Sequence, residues 1–323
     1  MLRTFAVLAV YLGHLLQLWD FEHLGLVSAK ALSQAGVLLF FVHTSLVLLL
    51  SMDRMELSPS ILWKSFYLRR LFRIFPLSIV AVLAAVAGSV PPFPTHPYVW
   101  IGWSDIIANL ALVQNLTQSP LVLDPLWSLP YEVQMYVLLP PIFWLLAQHP
   151  HRGVLAILWL GAVLLATLQM QSTFGRLGIV QYAPCFLAGA VAFGLRRSQP
   201  RFPFAGWPAV IFVAFALRQL GLEAGWLACL LLGLTVAQFH ELRLPWLKLL
   251  ARLIARYSYG IYLSHLFVFW IVFVQLEWLQ SPMQAVLCGL LSIGLPVVLY
   301  HLIERPMMNA GIAAAGRLGW TPR

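Results

Sequence analysis

Continuous apolar runs of about 20 residues, the length of helix that spans a bilayer core, recur along the whole chain. They constrain the fold more than any other feature, because a soluble core could not bury so many of them. Charged residues make up 10% of the chain, whereas a typical soluble domain has about 25%. The runs do not alternate apolar and polar residues as barrel strands do. The sequence therefore predicts an all-α polytopic membrane protein.

Ten of these runs are long enough to be transmembrane helices. The first is followed by Asp20, Glu22 and His23 and not by a small-residue cleavage site, so we interpret it as a retained span. A further apolar run, 104–116, has 13 residues, which is a marginal length for spanning a bilayer. The predicted spans are 3–20, 31–51, 74–90, 129–147, 152–170, 178–195, 205–221, 223–238, 257–278 and 283–303.

The distribution of basic residues decides whether the short run crosses. If it does not cross and the amino terminus is cytoplasmic, 17 of the 20 lysines and arginines face the cytoplasm, and only Lys30, Arg176 and Arg218 face outward. If it crossed, every later loop would change sides and this asymmetry would be lost. The positive-inside rule favours the first arrangement. We therefore predict about ten transmembrane helices, cytoplasmic termini and a short re-entrant or interfacial helix at 104–116 on the outer side.

Net charge and cysteine content narrow the classes of partner. A net charge of +9 would suggest nucleic-acid binding in a soluble protein, but here it indicates basic loops and anionic lipid. We expect the lipid bilayer as a partner and no nucleic acid. The three cysteines lie far apart in apolar runs, which supports neither a disulfide framework nor a zinc cluster. No metal is expected.

Ionisable side chains inside a bilayer are costly, so each is a candidate functional group. Arg3 and His14 are separated by close to three helical turns, which would place His14 about 16 Å deeper in the membrane than Arg3. His43, His265 and His301 also fall within predicted spans. Taken singly, each histidine is more typical of a hydrogen bond between helices than of a general base.

Glu132 lies near the outer end of its span, in the segment PLWSLPYEVQMY at 125–136. It could be an interfacial cap, with Trp127 and Tyr131 as aromatic anchors at the membrane surface. It could instead contact a hydroxylated acceptor that enters from outside, or orient a histidine. The residues alone leave both interpretations open.

Basic residues cluster before the third span, in WKSFYLRRLFRIFP at 63–76. Arg70 and Arg73 are three residues apart and therefore share a helix face. Arginine side chains suit phosphate groups, although basic residues beside a span are also ordinary membrane anchors. The density of cations favours an anionic cytosolic ligand.

Polar residues also mark the last two spans. Tyr262 and His265 belong to the stretch YSYGIYLSH, which suits either a ligand channel or hydrogen bonds between helices. Glu304, in the closing stretch YHLIERPM, could cap its helix, pair with a cation, or do both. The His301–Glu304 spacing has no third ligand in sight, so it does not predict a metal site.

Together, five motifs in this order resemble the membrane-bound acyltransferase family 3, whose members O-acetylate bacterial surface glycans. The resemblance covers nearly the whole chain. The motifs are Arg3 with His14 after ten intervening residues, GVLLFFVHTS at 36–45, Arg70 with Arg73 and RIFP at 73–76, PLWSLPYEVQMY at 125–136, and the helix ending at His265 with Glu304 and Pro306 downstream.

The chain departs from the family pattern at a few positions. Leu38 replaces the usual aspartate of the second helix, and His43 begins the tripeptide that replaces LSG. Pro130 and Val133 interrupt the run that is usually SVEE. These changes bear on the choice of acceptor and on the surroundings of Glu132.

The resemblance implies an O-acetyltransferase that uses acyl-CoA, acetyl-CoA in particular, as the donor co-substrate on the cytoplasmic side. The acceptor would be a hydroxyl of a glycan or lipid-linked glycan, and the location the bacterial inner (plasma) membrane. Residues 1–323 would form a single integral-membrane acyltransferase domain without an appended extracellular hydrolase-like domain.

The same resemblance assigns roles to residues. Arg3, Arg70 and Arg73 would bind the donor phosphates. His14 would act as the general base or as a transient acyl carrier, and Glu132 would contact the acceptor or orient the base. Further candidates for substrate or channel contacts are His43, Trp127, Tyr131, Tyr262, His265 and Glu304.

Two other functions are compatible with the sequence. A proton-coupled transporter or flippase of a glycan precursor would also carry histidines, glutamates and broken helices inside the membrane, although no inverted repeat is visible. A non-catalytic scaffold of a glycan-assembly complex is the third hypothesis. Binding of acyl-CoA separates the enzyme from both.

Overall fold

The computed structural model describes residues 1–25, 27–55, 57–149, 151–170, 178–196, 199–241 and 243–318. Within these residues the regular structure is helical, apart from an antiparallel hairpin of β1 (His23–Leu24) and β2 (Val27–Ser28) and one isolated bridge. His23 pairs with Ser28 and Leu24 with Val27. The fold is all-α, as predicted.

The helices follow one another in the order of the apolar runs. In chain order they are α1 (Leu2–Leu18), α2 (Ala29–Asp53), α3 (Pro59–Ala87), α4 (Trp103–Leu110), α5 (Gln114–Thr117), α6 (Leu129–Gln148), α7 (Arg152–Met170), α8 (Ile179–Gly194), α9 (Trp207–Gln219), α10 (Leu222–Thr235), α11 (Pro245–Phe269), α12 (Ser281–Leu299) and α13 (Arg305–Gly316). Turns of π-helix extend α11 over Trp270–Gln275 and join α12 to α13 over Tyr300–Glu304. A 3-10 turn, Asp124–Ser128, leads into α6.

Length and composition of these helices support a membrane protein. Among the described residues, a helix lies over each of the ten predicted spans. Within the part of the chain that the structure describes, four helical stretches are long and apolar enough to cross a membrane, namely Ala29–Asp53, Pro59–Ala87, Pro245–Gln275 and Ser281–Gly316. Five further apolar helices have 10–17 residues. The number of crossings and the cytoplasmic location of the termini stay predictions.

Three helices are longer than their predicted spans. α3 begins at Pro59 and not near residue 74, α11 begins at Pro245, and α12 continues through the π-turn to Gly316. Hydropathy delimits only the apolar part of a helix, whereas these extensions carry charged and polar residues on helical backbone. The basic stretch before the third span is therefore helical from Pro59 onward.

A salt bridge lies at the start of the α11 extension. Lys248 Nζ donates a hydrogen bond to Glu241 Oε2 at 2.7 Å. This hydrogen bond, together with the charge of Lys248, holds the pKa of the exposed Glu241 carboxyl below its ordinary value. The pair is solvent-exposed and contributes little to stability.

The chain divides into two compact units with three boundaries: one lies between α2 and α3, and the other two fall inside α6 and α11. Unit 1 comprises Met1–Met55 and Gln134–Ala255. Unit 2 comprises Glu56–Val133 and Arg256–Arg323.

Close helix contacts at small residues hold unit 1 together. A Cβ atom added to Gly13 on α1 would lie 2.6 Å from the backbone nitrogen of Ser33 on α2. One added to Gly189 on α8 would lie 2.4 Å from the carbonyl oxygen of Val42. Such glycines let helix backbones approach each other, which is the usual packing device inside membranes.

Four helix ends of unit 1 meet on one side. Arg196, just after α8, donates two hydrogen bonds to Asp53 at the end of α2, each of 3.1 Å. These residues line a cleft of about 380 Å³ with Leu146, near the end of α6, and Leu155, near the start of α7. The ends of α2 and α6 can share a side only if an even number of crossings separates them. If α3 and α6 each cross, as predicted, they supply two crossings, and this contact is then consistent with a run at 104–116 that does not cross.

The opposite ends of unit 1 agree with the same topology. Arg218 at the end of α9 donates to Gln34 near the start of α2 at 2.5 Å, and the Ser28 hydroxyl donates to Gln219 at 2.9 Å. Both contacts join ends that we predict to face outward. Arg176, another basic residue predicted on that side, lies outside the described residues.

The short segment of unit 2 that we predict on the outer side is held by hydrogen bonds within itself. α4 has 8 residues and spans about 12 Å, which is too short to cross a membrane. The fully buried Asn109 donates to the Pro120 carbonyl at 2.9 Å and accepts a hydrogen bond from the Val122 backbone at 3.2 Å. The Asp124 backbone nitrogen donates to Pro92 at 3.0 Å. Where one re-entrant or interfacial helix was predicted at 104–116, the structure has two short helices, Trp103–Leu110 and Gln114–Thr117, and their place relative to a membrane stays a prediction.

Candidate active site

Helix α1 carries the Arg3–His14 motif in unit 1. The Thr4 hydroxyl donates to the Ala251 carbonyl at 2.9 Å, which ties the start of α1 to the start of α11. His14 follows Gly13, at the close contact of α1 with α2, and is only 6% exposed. The helix rise separates the two motif residues by about 16 Å. The helix therefore buries an imidazole well away from the arginine at its start.

His43 lies at the Arg3 end of unit 1. The Arg3 guanidinium and the amino terminus both act electrostatically on the His43 imidazole. We predicted His43 as a substrate or channel candidate. The structure places it close enough to Arg3 for the two side chains to interact electrostatically.

Arg73 and Glu304 form an ion pair within unit 2. Arg73 Nη1 donates to Glu304 Oε2, and the Glu304 side chain is completely buried while that of Arg73 is 13% exposed. The two residues are far apart in sequence and meet where α3 packs beside the π-turn that joins α12 to α13. Of the two roles left open for Glu304, the structure has the pairing with a cation.

One face of α11 carries a row of polar side chains at intervals of three residues: Tyr259, Tyr262 and His265. Tyr262 contacts the 3-10 turn before α6, because its hydroxyl donates to the Pro125 carbonyl at 2.8 Å and shares a hydrogen bond of 2.7 Å with the Ser128 hydroxyl. Both Tyr262 and Ser128 are buried. The segment that leads to Glu132 is thereby fixed to the polar face of α11.

The neighbours of Glu132 are aromatic and phenolic. Trp127 and Tyr131 form an edge-to-face pair with ring centroids 6.1 Å apart. The Glu132 carboxyl group interacts electrostatically with the hydroxyls of Tyr259 and Tyr262. The structure therefore brings together four of the predicted site residues around this segment, namely Trp127, Tyr131, Glu132 and Tyr262.

His265 is held by its own helix. Its Nδ1 donates to the Ile261 carbonyl at 3.1 Å, and its ring contacts those of Tyr262 and Phe269. The side chain is buried, with 2% exposure. A donating Nδ1 fixes the neutral ring as the tautomer whose Nε2 is an acceptor. This arrangement suits packing as well as it suits a role in a channel.

Arg70 lies three residues before Arg73 on α3 and is half-buried. Its neighbour Arg69 donates to the Ser65 carbonyl of the same helix at 3.2 Å. Among the described residues, no group of three or more histidine, cysteine, aspartate or glutamate side chains could hold a metal ion.

Three residues of this site were not among the predicted ones: Ser128, Tyr259 and Gly260. The three-residue spacing of tyrosines in YSYGIYLSH is the signal that could have indicated Tyr259. No sequence signal relates Ser128 to Tyr262, because the two residues come from distant segments. Gly260 is explained only by its contact with Glu304, described below.

Comparisons with known proteins agree with the resemblance. The acyltransferase domain of family 3 matches residues 1–301. The chain is also similar to a regulator of hypoxia-inducible factor 1 from Caenorhabditis elegans, with 30% identity over 128 residues. That match covers 38% of this chain and 25% of the nematode protein. No solved structure shows significant similarity. With all but its last residues matched, the chain belongs to acyltransferase family 3.

Proposed function

We propose that the protein transfers an acetyl group from acetyl-CoA, on the cytoplasmic side of a bacterial plasma membrane, to a hydroxyl of a glycan or lipid-linked glycan on the other side. Membership of an acyltransferase family supports acyl transfer as the reaction. The observation that carries the proposal is the buried His14 on a largely apolar helix. Such a costly residue is kept for a function.

His14 supplies the proton acceptor in this proposal. A neutral imidazole takes the proton of the acceptor hydroxyl while the hydroxyl oxygen attacks the thioester carbonyl carbon. The carbon–sulfur bond then breaks, and the CoA thiolate leaves and receives the proton. If the imidazole instead carries the acetyl group transiently, the same atoms balance in two steps. In either case the acetyl group is transferred and CoA stays on its own side.

Cations on the predicted cytoplasmic side supply the donor contacts. We assign the phosphates of CoA to Arg70, on the basic part of α3, and to Arg3 at the start of α1. Guanidinium groups bind phosphate oxygens with charge-assisted hydrogen bonds. The pantetheine arm is comparable in length to the rise of about 16 Å between Arg3 and His14. That spacing would allow the CoA phosphates to bind at the membrane surface while the thioester reaches His14 inside the membrane.

The segment around Glu132 supplies the acceptor contacts. Trp127 and Tyr131 present the aromatic faces that commonly stack on sugar rings, and Glu132 accepts hydrogen bonds from hydroxyl groups. The Tyr262–Ser128 hydrogen bond holds this segment in place. These contacts favour a hydroxylated acceptor.

Binding and hydrolysis of acetyl-CoA by the purified protein in detergent test the proposal. We expect wild type to bind acetyl-CoA and to hydrolyse it slowly. His14→Ala should bind the donor but lose turnover by about 100-fold or more. Arg70→Gln should weaken binding by about tenfold or more. His149→Ala, at an exposed position after α6, is the matched control and should behave as wild type.

A wild-type protein that does not bind acetyl-CoA would overturn the proposal, and transport of a glycan precursor would become the function to test. Equal turnover by wild type and His14→Ala would remove His14 from the mechanism.

A further inference from the structure

We infer that Arg73 is a positioning residue that neutralises Glu304, and that it is not a ligand of the donor phosphates. The inference rests on the proposed function, and it revises the expectation from the sequence that both arginines of α3 bind the donor phosphates. It separates the two: Arg70 contacts the donor, whereas Arg73, Glu304 and Tyr259 form a fixed cluster, here called the Arg73 cluster.

Burial of Glu304 is the first argument. Its side chain has no exposed surface, and its ion pair with Arg73 supplies the neutralising charge. A buried carboxylate without a cationic partner is strongly unfavourable. If Arg73 left Glu304 to bind a phosphate, the carboxylate would lose this compensation.

The surroundings of Arg73 are the second argument. Its guanidinium lies 5.2 Å from the centroid of the Tyr259 ring, in a cation–π contact. The buried Tyr259 hydroxyl donates to the carbonyl of Ile74, the next residue on α3, at 2.7 Å. The Tyr259 ring thus covers one face of the Arg73 guanidinium, and the Glu304 carboxylate binds its edge. Only 13% of its side chain is exposed, which leaves little surface for a large dianion.

The backbone around the cluster is also adapted to it. Glu304 is the last residue of the π-turn Tyr300–Glu304, and such turns occur frequently at functional sites. A Cβ atom on Gly260 of α11 would lie 3.3 Å from Glu304 Oε1 and 3.2 Å from the Cα atom of Pro296 on α12. A glycine therefore lets α11 approach the carboxylate. The cluster joins α3, α11 and the C-terminal helix within unit 2.

Neutralisation of Arg73 leaves Arg70 as the arginine of this pair that attracts the donor phosphates. A neutralised pair attracts an anion far less than a single cation does. Arg73 would act on the donor only by fixing the part of α3 that carries Arg70.

Charge-neutral double substitution tests the inference. We would measure the acetyl-CoA Kd, the turnover and the thermal midpoint of Arg73→Gln, Glu304→Gln and the Arg73→Gln/Glu304→Gln double variant, with Arg70→Gln for comparison. Either single variant of the cluster leaves a buried charge uncompensated and should lower the midpoint. The double variant removes both charges and should recover most of the midpoint and most of the donor affinity, although its turnover can stay reduced.

The Kd for acetyl-CoA decides between the two roles. A positioning role predicts that the double variant binds within about threefold of wild type, whereas Arg70→Gln loses about tenfold or more. A double variant that binds as weakly as Arg70→Gln, with a wild-type midpoint, would show that Arg73 binds phosphate and would overturn the inference.

Failure of the proposed function would look different. If wild type does not bind acetyl-CoA, the proposed function fails, and the midpoints alone decide whether the cluster is a neutralised pair. A double variant no more stable than Arg73→Gln would then reject the pairing itself.

Discussion

At the scale of single residues, the contact of Tyr262 with the turn before α6 can be tested by removing one hydroxyl group. Tyr262→Phe removes the hydroxyl that bonds both Ser128 and the Pro125 carbonyl and leaves the ring in place. The loss of two buried hydrogen bonds should cost about 1–3 kcal/mol of stability. Because the turn leads to Glu132, we expect lower turnover with an unchanged Kd for acetyl-CoA. Activity assays and thermal melts in detergent measure both effects.

Tyr98→Phe is the matched control for Tyr262→Phe. Tyr98 is 36% exposed, so loss of its hydroxyl should change neither quantity. If Tyr262→Phe weakened donor binding and left turnover intact, the turn before α6 would belong to the donor side, contrary to our assignment.

Single residues also show where sequence reasoning was sufficient. Glu304 and Tyr262 could be identified as candidates from the sequence, because ionisable and hydroxylated side chains are uncommon in apolar runs. Their partners could not be identified. Arg73 and Glu304 are separated by 231 residues, and hydropathy gives the depth of a residue in a membrane but not its lateral neighbours.

At the scale of helices, the contact of α1 with α2 makes a prediction about Gly13. A Cβ atom there would lie 2.6 Å from the Ser33 nitrogen and 2.8 Å from the Ala29 carbonyl oxygen, and backbone atoms cannot move aside. Gly13→Ala should therefore destabilise the protein by about 1–3 kcal/mol. Because His14 is the next residue, turnover should fall as well. The thermal midpoint and the rate of acetyl-CoA hydrolysis measure these effects.

Gly289→Ala on α12 is the control for this helix contact. No atom lies within 4 Å of a Cβ atom built there, and alanine is the better helix former by about 1 kcal/mol. The midpoint should stay equal or rise. Equal midpoints for wild type and Gly13→Ala would mean that α1 and α2 are not packed as closely as the structure has them.

Helix extents illustrate a second limit of sequence reasoning. The apolar parts of α3, α11 and α12 were predicted, but their charged extensions were not, because a hydropathy window ends where charges begin. The extension of α3 matters for the site, since it places Arg70 and Arg73 on one continuous helix that begins at Pro59.

At the scale of the whole molecule, the central prediction is the topology. Four exposed positions test it when they are replaced by cysteine: Ser60 and Glu241 should face the cytoplasm, and Ser104 and Gln280 should face outward. A membrane-impermeant thiol reagent should label Ser104→Cys and Gln280→Cys in intact cells, and the other two only after lysis. The three native cysteines are buried and form no disulfide, so they should contribute little background.

The comparison of Ser104→Cys with Glu241→Cys tests whether 104–116 crosses the membrane. If both Ser104→Cys and Glu241→Cys were labelled in intact cells, the two positions would lie on the same side of the membrane. The number of crossings between them would then differ from our prediction. The meeting of Asp53 and Arg196 at one end of unit 1 argues for the predicted parity, because both residues end spans that should run in the same direction.

The whole-molecule function is tested most directly by following the two halves of acetyl-CoA separately. The purified protein would be reconstituted into sealed vesicles loaded with short glycans, and acetyl-CoA with different labels on the acetyl group and on CoA would be added outside. Molecules inserted with their cytoplasmic face outward should move the acetyl label onto the enclosed glycans while the CoA label stays outside. His14→Ala should move neither. Entry of both labels together would contradict the account and indicate a transporter, and an acetyl label transferred equally by His14→Ala would reject His14 as its reactive group.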